Sequence, residues 1–254
     1  MSHLLAIETS HARGSVAIGP VAGSGEPSVE LFPPGLVHAR ELHPAIDRLV
    51  RRRGLERTAI TRIAVSQGPG SYTGIRVGVS AAKSLAWALT VGGSSCAAFG
   101  VSSLQAIGTG VARSFEARSS EMRSSEKSDA QRPSLPFEFA VLVDARRGSC
   151  YAARFRCEPN ATLARLEDDH LAPVDRYLER LPASCWLVGS GARTLPGVER
   201  FAHLEETLDC PDASSIFRLG IEFARPPEDP HQLMPVYFRP SEAEERRDRD
   251  RRSS

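Results

Sequence analysis

An acidic residue that closes an apolar run and is followed by an Arg-Gly-Ser turn occurs twice in this chain, as Glu8 before Arg13-Gly14-Ser15 and as Asp144 before Arg147-Gly148-Ser149. The pattern around the two copies also agrees. In the first half, strand-like runs at 4–8, 15–18 and 29–32 precede a helix at 39–53, where Leu42, Ile46, Leu49 and Val50 recur at helical spacing and Gly54 ends the pattern. A strand at 62–66 leads into a glycine-rich block, then a helix capped by Thr73 and marked by Ile75, Val79, Ala82, Ala86 and Leu89, then a strand at 96–99. In the second half, runs at 139–144, 150–156 and 162–166 precede a helix near 175–181, a strand at 186–188 and a helix at 212–224. A duplicated fold is the economical reading.

Three strands, then helix, strand, helix and strand is the order of a ribonuclease-H-like lobe, a mixed sheet covered by helices. The chain is therefore expected to be an α/β protein of two such lobes, one over 1–108 and one over 109–240. Residues 114–136, rich in Ser, Arg, Glu and Pro, are expected to be a disordered surface insertion, and 241–254 a solvated charged tail.

Composition narrows the function classes. With 254 residues the chain can bury a sizeable core, and its formal net charge of +1 gives no reason to expect autonomous nucleic-acid binding. Five cysteines without a C-x-x-C pair argue against a disulfide framework or a zinc ribbon, and free buried thiols are expected. No apolar run approaches the ~20 residues that span a bilayer, and the first residues lack a basic leader, so a soluble cytosolic protein without membrane contact is expected. His38 and His43 fall on different helix faces and the other histidines are scattered, so no metal site is expected. There is no G-x-S-x-G elbow, and aromatic residues do not alternate with basic ones as in a single-strand RNA platform.

Four segments carry a resemblance: Ala6-Ile7-Glu8-Thr9-Ser10, Gln67 through Gly78, Val143-Asp144-Ala145-Arg146-Arg147, and Pro235-Val236-Tyr237-Phe238-Arg239. Together they resemble the TsaB (YeaZ) family, and the match runs over most of the chain. The resemblance implies a two-lobed actin-like, sugar-kinase-like (ASKHA) duplication. It also implies a non-catalytic subunit that binds and activates TsaD, which forms threonylcarbamoyladenosine at position 37 of tRNA, with TsaE as a further ATPase partner. Contact with tRNA would come through that complex. No catalytic residue and no intrinsic cofactor are expected, with ATP or ADP and Mg²⁺ entering only in the complex. The contrasting reading is an active actin-fold small-molecule kinase or ATPase, and a homodimer is expected where TsaD is absent.

Each motif has two readings. Glu8, Thr9 and Ser10 stand where nucleotide-using relatives of this fold place a metal-orienting carboxylate, but family members commonly have Asp there, so a degenerate phosphate loop that satisfies local backbone bonds is favoured. Gly68, Pro69, Gly70, Ser71, Tyr72, Thr73 and Gly74 precede a helix N-terminus and suit either an anion or a structural hinge; the block matches neither G-x-x-x-x-G-K-[ST] nor G-x-G-x-x-G, and the hinge is favoured. Arg76 is either a contact for a partner or an anion or a surface arginine. The stripes Leu42, Ile46, Leu49 and Ile75, Gly78, Val79, Ala82, Ala86 suit a core, while the family resemblance implies a helix-bundle interface with TsaD along them. Asp144, Arg146 and Arg147 are either cleft residues or an ion-paired turn at a strand end.

Overall fold

A computed structural model describes residues 2–23, 25–35, 37–93, 95–121, 132–222 and 232–239. Two five-stranded sheets are built with one topology. The first comprises β1 (His3–Glu8), β2 (Ser15–Pro20), β3 (Ser28–Leu31), β4 (Ile60–Ser66) and β5 (Ala97–Val101), in the order β3-β2-β1-β4-β5. The second comprises β6 (Phe137–Asp144), β7 (Ser149–Cys157), β8 (Leu163–Pro173), β9 (Trp186–Val188) and β10 (Ala202–His203), in the order β10-β9-β6-β7-β8. In each, the first three strands form an antiparallel meander and the remaining two join parallel to the first. The echo of Arg-Gly-Ser turns marks equivalent hairpins, since Ser15 pairs with Glu8 and Ser149 opens β7 after Asp144.

The helices are α1 (His38–Arg52), α2 (Tyr72–Val91), α3 (Ser103–Glu121), α4 (Val174–Arg180), α5 (Gly191–Thr194) and α6 (Ala213–Glu222). Strand β1 is buried on both faces, because successive side chains point to opposite sides. Leu5 and Ile7 meet Leu42 and Leu49 of α1 and Ile75 and Val79 of α2, whereas Leu4 and Ala6 meet Ile216 and Leu219 of α6. The second sheet is covered the same way. Ala140 and Leu142 pack with α4 and α5, while Phe139, Val141 and Val143 pack against Leu104, Ile107 and Val111 of α3. The two halves thus exchange a helix: α3 from the first covers the second sheet, and α6 from the second covers the first.

Several expectations shift. The segment expected to be disordered from 114 begins inside α3, which continues to Glu121; 122–131 lie outside the described residues. That helix escapes a reading by pattern because Ser, Arg and Glu fill its second half. Helix α2 is capped by Ser71, whose hydroxyl accepts from the Gly74 amide at 3.2 Å, and Thr73 lies within the first turn. Helix α1 ends as expected, with Gly54 in the left-handed region at φ 59°. The charged segment 241–254 lies outside the described residues.

Candidate functional site

The end of β1 is a buried polar hub. Glu8, Thr9 and Ser10 are fully buried and His11 nearly so. The Glu8 carboxyl accepts from the Ser10 amide at 2.5 Å and the Ser10 hydroxyl at 2.7 Å, both on Oε1. Ser66 stands close enough to weigh on its proton affinity but forms no hydrogen bond to it, and Oε2 has no protein partner. Burial pushes Glu8 up to about 7, against the lowering effect of those hydrogen bonds. Burial also pushes His11 down to about 4; its Nδ1 lies 2.9 Å from the Ser10 hydroxyl.

This hub holds both helices that flank it. The His38 ring, in the first turn of α1, donates from Nε2 to the His11 carbonyl at 2.8 Å. The Ser71 amide at the start of α2 donates to the Ser10 carbonyl at 2.7 Å, and the Thr9 hydroxyl donates to the Gly74 carbonyl at 2.8 Å. Glycine is required where α2 meets the hub. A Cβ on Gly74 would lie 2.0 Å from the Thr9 carbonyl oxygen, and one on Gly78 would lie 2.3 Å from the Thr9 hydroxyl. The amides of Ser71, Gly74 and Ile75 bond within the chain, to Ser10, to the Ser71 hydroxyl and to the Ser71 carbonyl. The glycine block therefore serves close packing of α2 on β1, and these donors are spent before any anion arrives.

In the second half, the Asp144 carboxylate accepts from the Arg146 amide at 2.7 Å and pairs with its guanidinium at 3.7 Å. Arg146 and Arg147 are both in the left-handed region, at φ 65° and 53°, a conformation that side chains with a Cβ adopt at some cost. Residues 232–239 form a strap that ties this turn to the glycine block. The Val236 amide donates to the Gln67 carbonyl at 2.8 Å, Tyr237 stacks on Tyr72, and Arg239 donates to the carbonyls of Ala145 and Arg146. The sequence singled out 235–239 as a motif; its role as a clasp needs three-dimensional neighbours to be seen.

Between α1 and α2, reaching down to Leu5 and Ile60 of the first sheet, opens a groove of about 490 Å³, whose apolar lining includes Ile46, Val50, Leu85 and Leu89, with His43, Asp47 and Arg57 among its polar lining. On another face of α2 from the groove-lining Leu85, Ala88, Leu89 and Gly92, Trp87 is 60% and Val91 70% exposed, large apolar surfaces left in water at the end of the helix.

A family model described as TsaD, tRNA N6-adenosine threonylcarbamoyltransferase, matches residues 36–184, which begin just before α1 and extend past α4. The tRNA threonylcarbamoyladenosine biosynthesis protein TsaB of Bacillus subtilis (strain 168) is 28% identical over 144 residues, 57% of this chain and 51% of the relative. The protein of the same name from Escherichia coli (strain K12) is 28% identical over 196 residues, 76% of this chain and 73% of the relative. The chain belongs to this family, on its TsaB (YeaZ) branch. Its alignment spans about half the length of the Bacillus relative. Among solved structures, YeaZ from Pseudomonas aeruginosa superposes with a TM-score of 0.71 at 24% identity, covering 93% of this chain and all of that one. A second Pseudomonas aeruginosa structure, titled an uncharacterized protein with similarity to peptidase YEAZ, gives 0.72 at 24% identity, over 94% of this chain. Both likenesses concern the fold.

For a member of the TsaB branch, the residues expected at a partner interface require correction. Leu42, Leu49, Ile75, Val79, Ala82 and Ala86 belong to the core between the helices and the first sheet, and Gly78 is closed off by Thr9. Only Ile46 of that set also reaches the groove. The apolar period locates the inner face of each helix, and the outer face is found from what remains exposed: Tyr72, Thr73, Arg76, Ser80, Ser84, Trp87, Ala88, Thr90 and Val91 on α2. No periodicity signals it, because Trp87 and Val91 are interspersed with polar and small residues.

Proposed function

We propose that this chain is a non-catalytic subunit in the formation of threonylcarbamoyladenosine on tRNA, and that it docks on a TsaD-type transferase through the groove between α1 and α2 and activates it. The observation that carries this reading is the groove itself, mostly apolar in its lining, whose α1 and α2 residues lie within the segment matched by the family model. An open apolar channel is a place where anchoring side chains of a partner bind. Left without its transferase, the same face would pair with a second copy of itself.

The repeated sheet order supports an actin-like duplication of ribonuclease-H-like halves, with lobes divided near residue 108. In that frame Glu8, Thr9 and Ser10 are a relic of a phosphate site. The buried carboxyl and the internally bonded amides of the glycine block support this reading over a small-molecule kinase. Any ATP or ADP with Mg²⁺ would bind at a composite site completed by TsaD and a TsaE-type ATPase.

Size-exclusion chromatography with light scattering on this protein mixed with TsaD of the same organism tests the docking. Co-elution as a heterodimer is expected, with Ala88→Arg abolishing it while leaving thermal melting unchanged, since Ala88 is exposed. Separate elution at micromolar concentration overturns the docking, and threonylcarbamoyl transfer by this chain alone overturns the non-catalytic role.

A further inference from the structure

Tyr72 and Tyr237 stack with centroids 4.7 Å apart and planes 25° from parallel, and the Arg76 guanidinium lies 5.4 Å from the Tyr72 centroid. The rings come from the first turn of α2 and from the strap, yet they remain 44% and 42% exposed. The clasp of Arg239 on the carbonyls of Ala145 and Arg146 brings the turn bearing Arg146 and Arg147 next to the strap. None of the three contributing segments, 72–91, 145–151 and 232–239, contains Asp or Glu. Among the described residues, the acid adjoining these segments in sequence, Asp144, is engaged by the Arg146 amide and guanidinium. Alternation of aromatic and basic residues, missing from the linear sequence, is thus assembled in space.

Two kinds of group meet on this patch, the half-exposed Tyr72–Tyr237 pair and the arginines Arg76, Arg146 and Arg147, of which Arg146 is shared with Asp144 at 3.7 Å. An apolar protein partner would use the rings and leave the arginines desolvated, and a double-stranded nucleic acid would use the arginines and leave the rings idle. Single-stranded nucleic acid uses both, because its bases stack on aromatic faces while its phosphates seek Arg. We propose that this patch binds single-stranded RNA, with a base stacked on the Tyr72–Tyr237 pair and backbone phosphates beside Arg146 and Arg147. The choice of RNA over DNA rests on the tRNA-directed function proposed above; the patch itself lies apart from the α1–α2 groove.

The test is fluorescence anisotropy with an end-labelled RNA stem-loop, whose loop is single-stranded, and a blunt duplex of equal length. Both are titrated with the full chain alone and with its mixture with TsaD. The stem-loop is expected to bind roughly tenfold tighter than the duplex, and Tyr237→Ala to weaken it roughly tenfold while Tyr237→Phe does not. Arg146→Glu is expected to weaken binding and flatten its salt dependence. Because these variants lie outside the groove, each is expected to co-elute with TsaD as the parent protein does, so loss of RNA binding and loss of docking are read separately. Equal binding of stem-loop and duplex, binding of neither by chain or mixture, or parent-like RNA binding by both Tyr237→Ala and Arg146→Glu overturns the proposal.

Discussion

Glu8 and His11 share one serine hydroxyl and titrate in opposite senses. Glu8 has an ordinary value of 4.5 and is raised to about 7, so between those values the folded chain holds a proton that the unfolded chain has lost. Stability from this residue is fully present below 4.5 and declines as pH rises through 7, by about 1.4 kcal/mol per pH unit within the window. His11 is lowered from 6.5 to about 4, so there the unfolded chain holds the extra proton and stability rises with pH. The slopes oppose each other between about 4.5 and 6.5, and the melting temperature of the parent protein is expected to be nearly flat there if other groups are quiet. Glu8→Gln removes the falling contribution, and its melting temperature is expected to rise with pH from 4 to 6.5. His11→Asn leaves Glu8 alone, and melting is expected to fall from 4.5 to 7. Differential scanning fluorimetry across buffers decides; parallel curves for both variants would mean the two side chains are hydrated in solution. The sequence pointed to Glu8 by its place after an apolar strand. It held no sign of the protonation, which depends on complete burial outweighing the hydrogen bonds from Ser10.

At the scale of elements, the glycine block ties α2 to β1, and its glycines are expected to be intolerant in proportion to what a Cβ would meet. Gly74→Ala places a methyl 2.0 Å from the Thr9 carbonyl oxygen, a backbone atom that moves only with β1. A loss of about 3 kcal/mol is expected, at the upper end for overpacking, in urea denaturation. Ser71→Ala removes only the helix cap and is expected to cost about 1 kcal/mol. If Gly74→Ala costs no more than Ser71→Ala, α2 is not held against β1 as described. Helices α1 and α2 were legible because their apolar residues recur every three to four positions, but that period marks the face turned inward. The outward face of α2 had to be located by exposure, and Trp87 and Val91 carry no signature in a one-dimensional reading. Helix α3 was legible at neither end. Gly108 and Gly110 interrupt its first half and Ser, Arg and Glu fill its second, and its apolar residues answer to a sheet formed later in the chain.

For the whole molecule, the exchange of α3 and α6 makes each half depend on the other. The first sheet leaves Leu4, Ala6 and Ala64 to be covered by Ile216, Phe217 and Leu219 of α6. Burial of three such side chains contributes about 6 kcal/mol, of the same order as the roughly 5–15 kcal/mol net stability of a folded domain. The element pattern made two lobes legible, and from that pattern alone a break near residue 108 looks harmless; it would cut α3 and separate each sheet from a helix it requires. A fragment ending at Ser102 is therefore expected to lack a cooperative thermal transition and to bind a hydrophobic dye, although it holds all of β1–β5. Adding the remainder of the chain, from Ser103 onward, is expected to restore the transition, because α6 supplies the missing face of the first sheet. A variant of that remainder with Phe217→Asp and Leu219→Asp should fail to restore it while still folding its own second sheet under α3. Cooperative melting of the first fragment alone would show that its sheet is stable with one face bare, and α6 would then be a cover laid over a finished lobe.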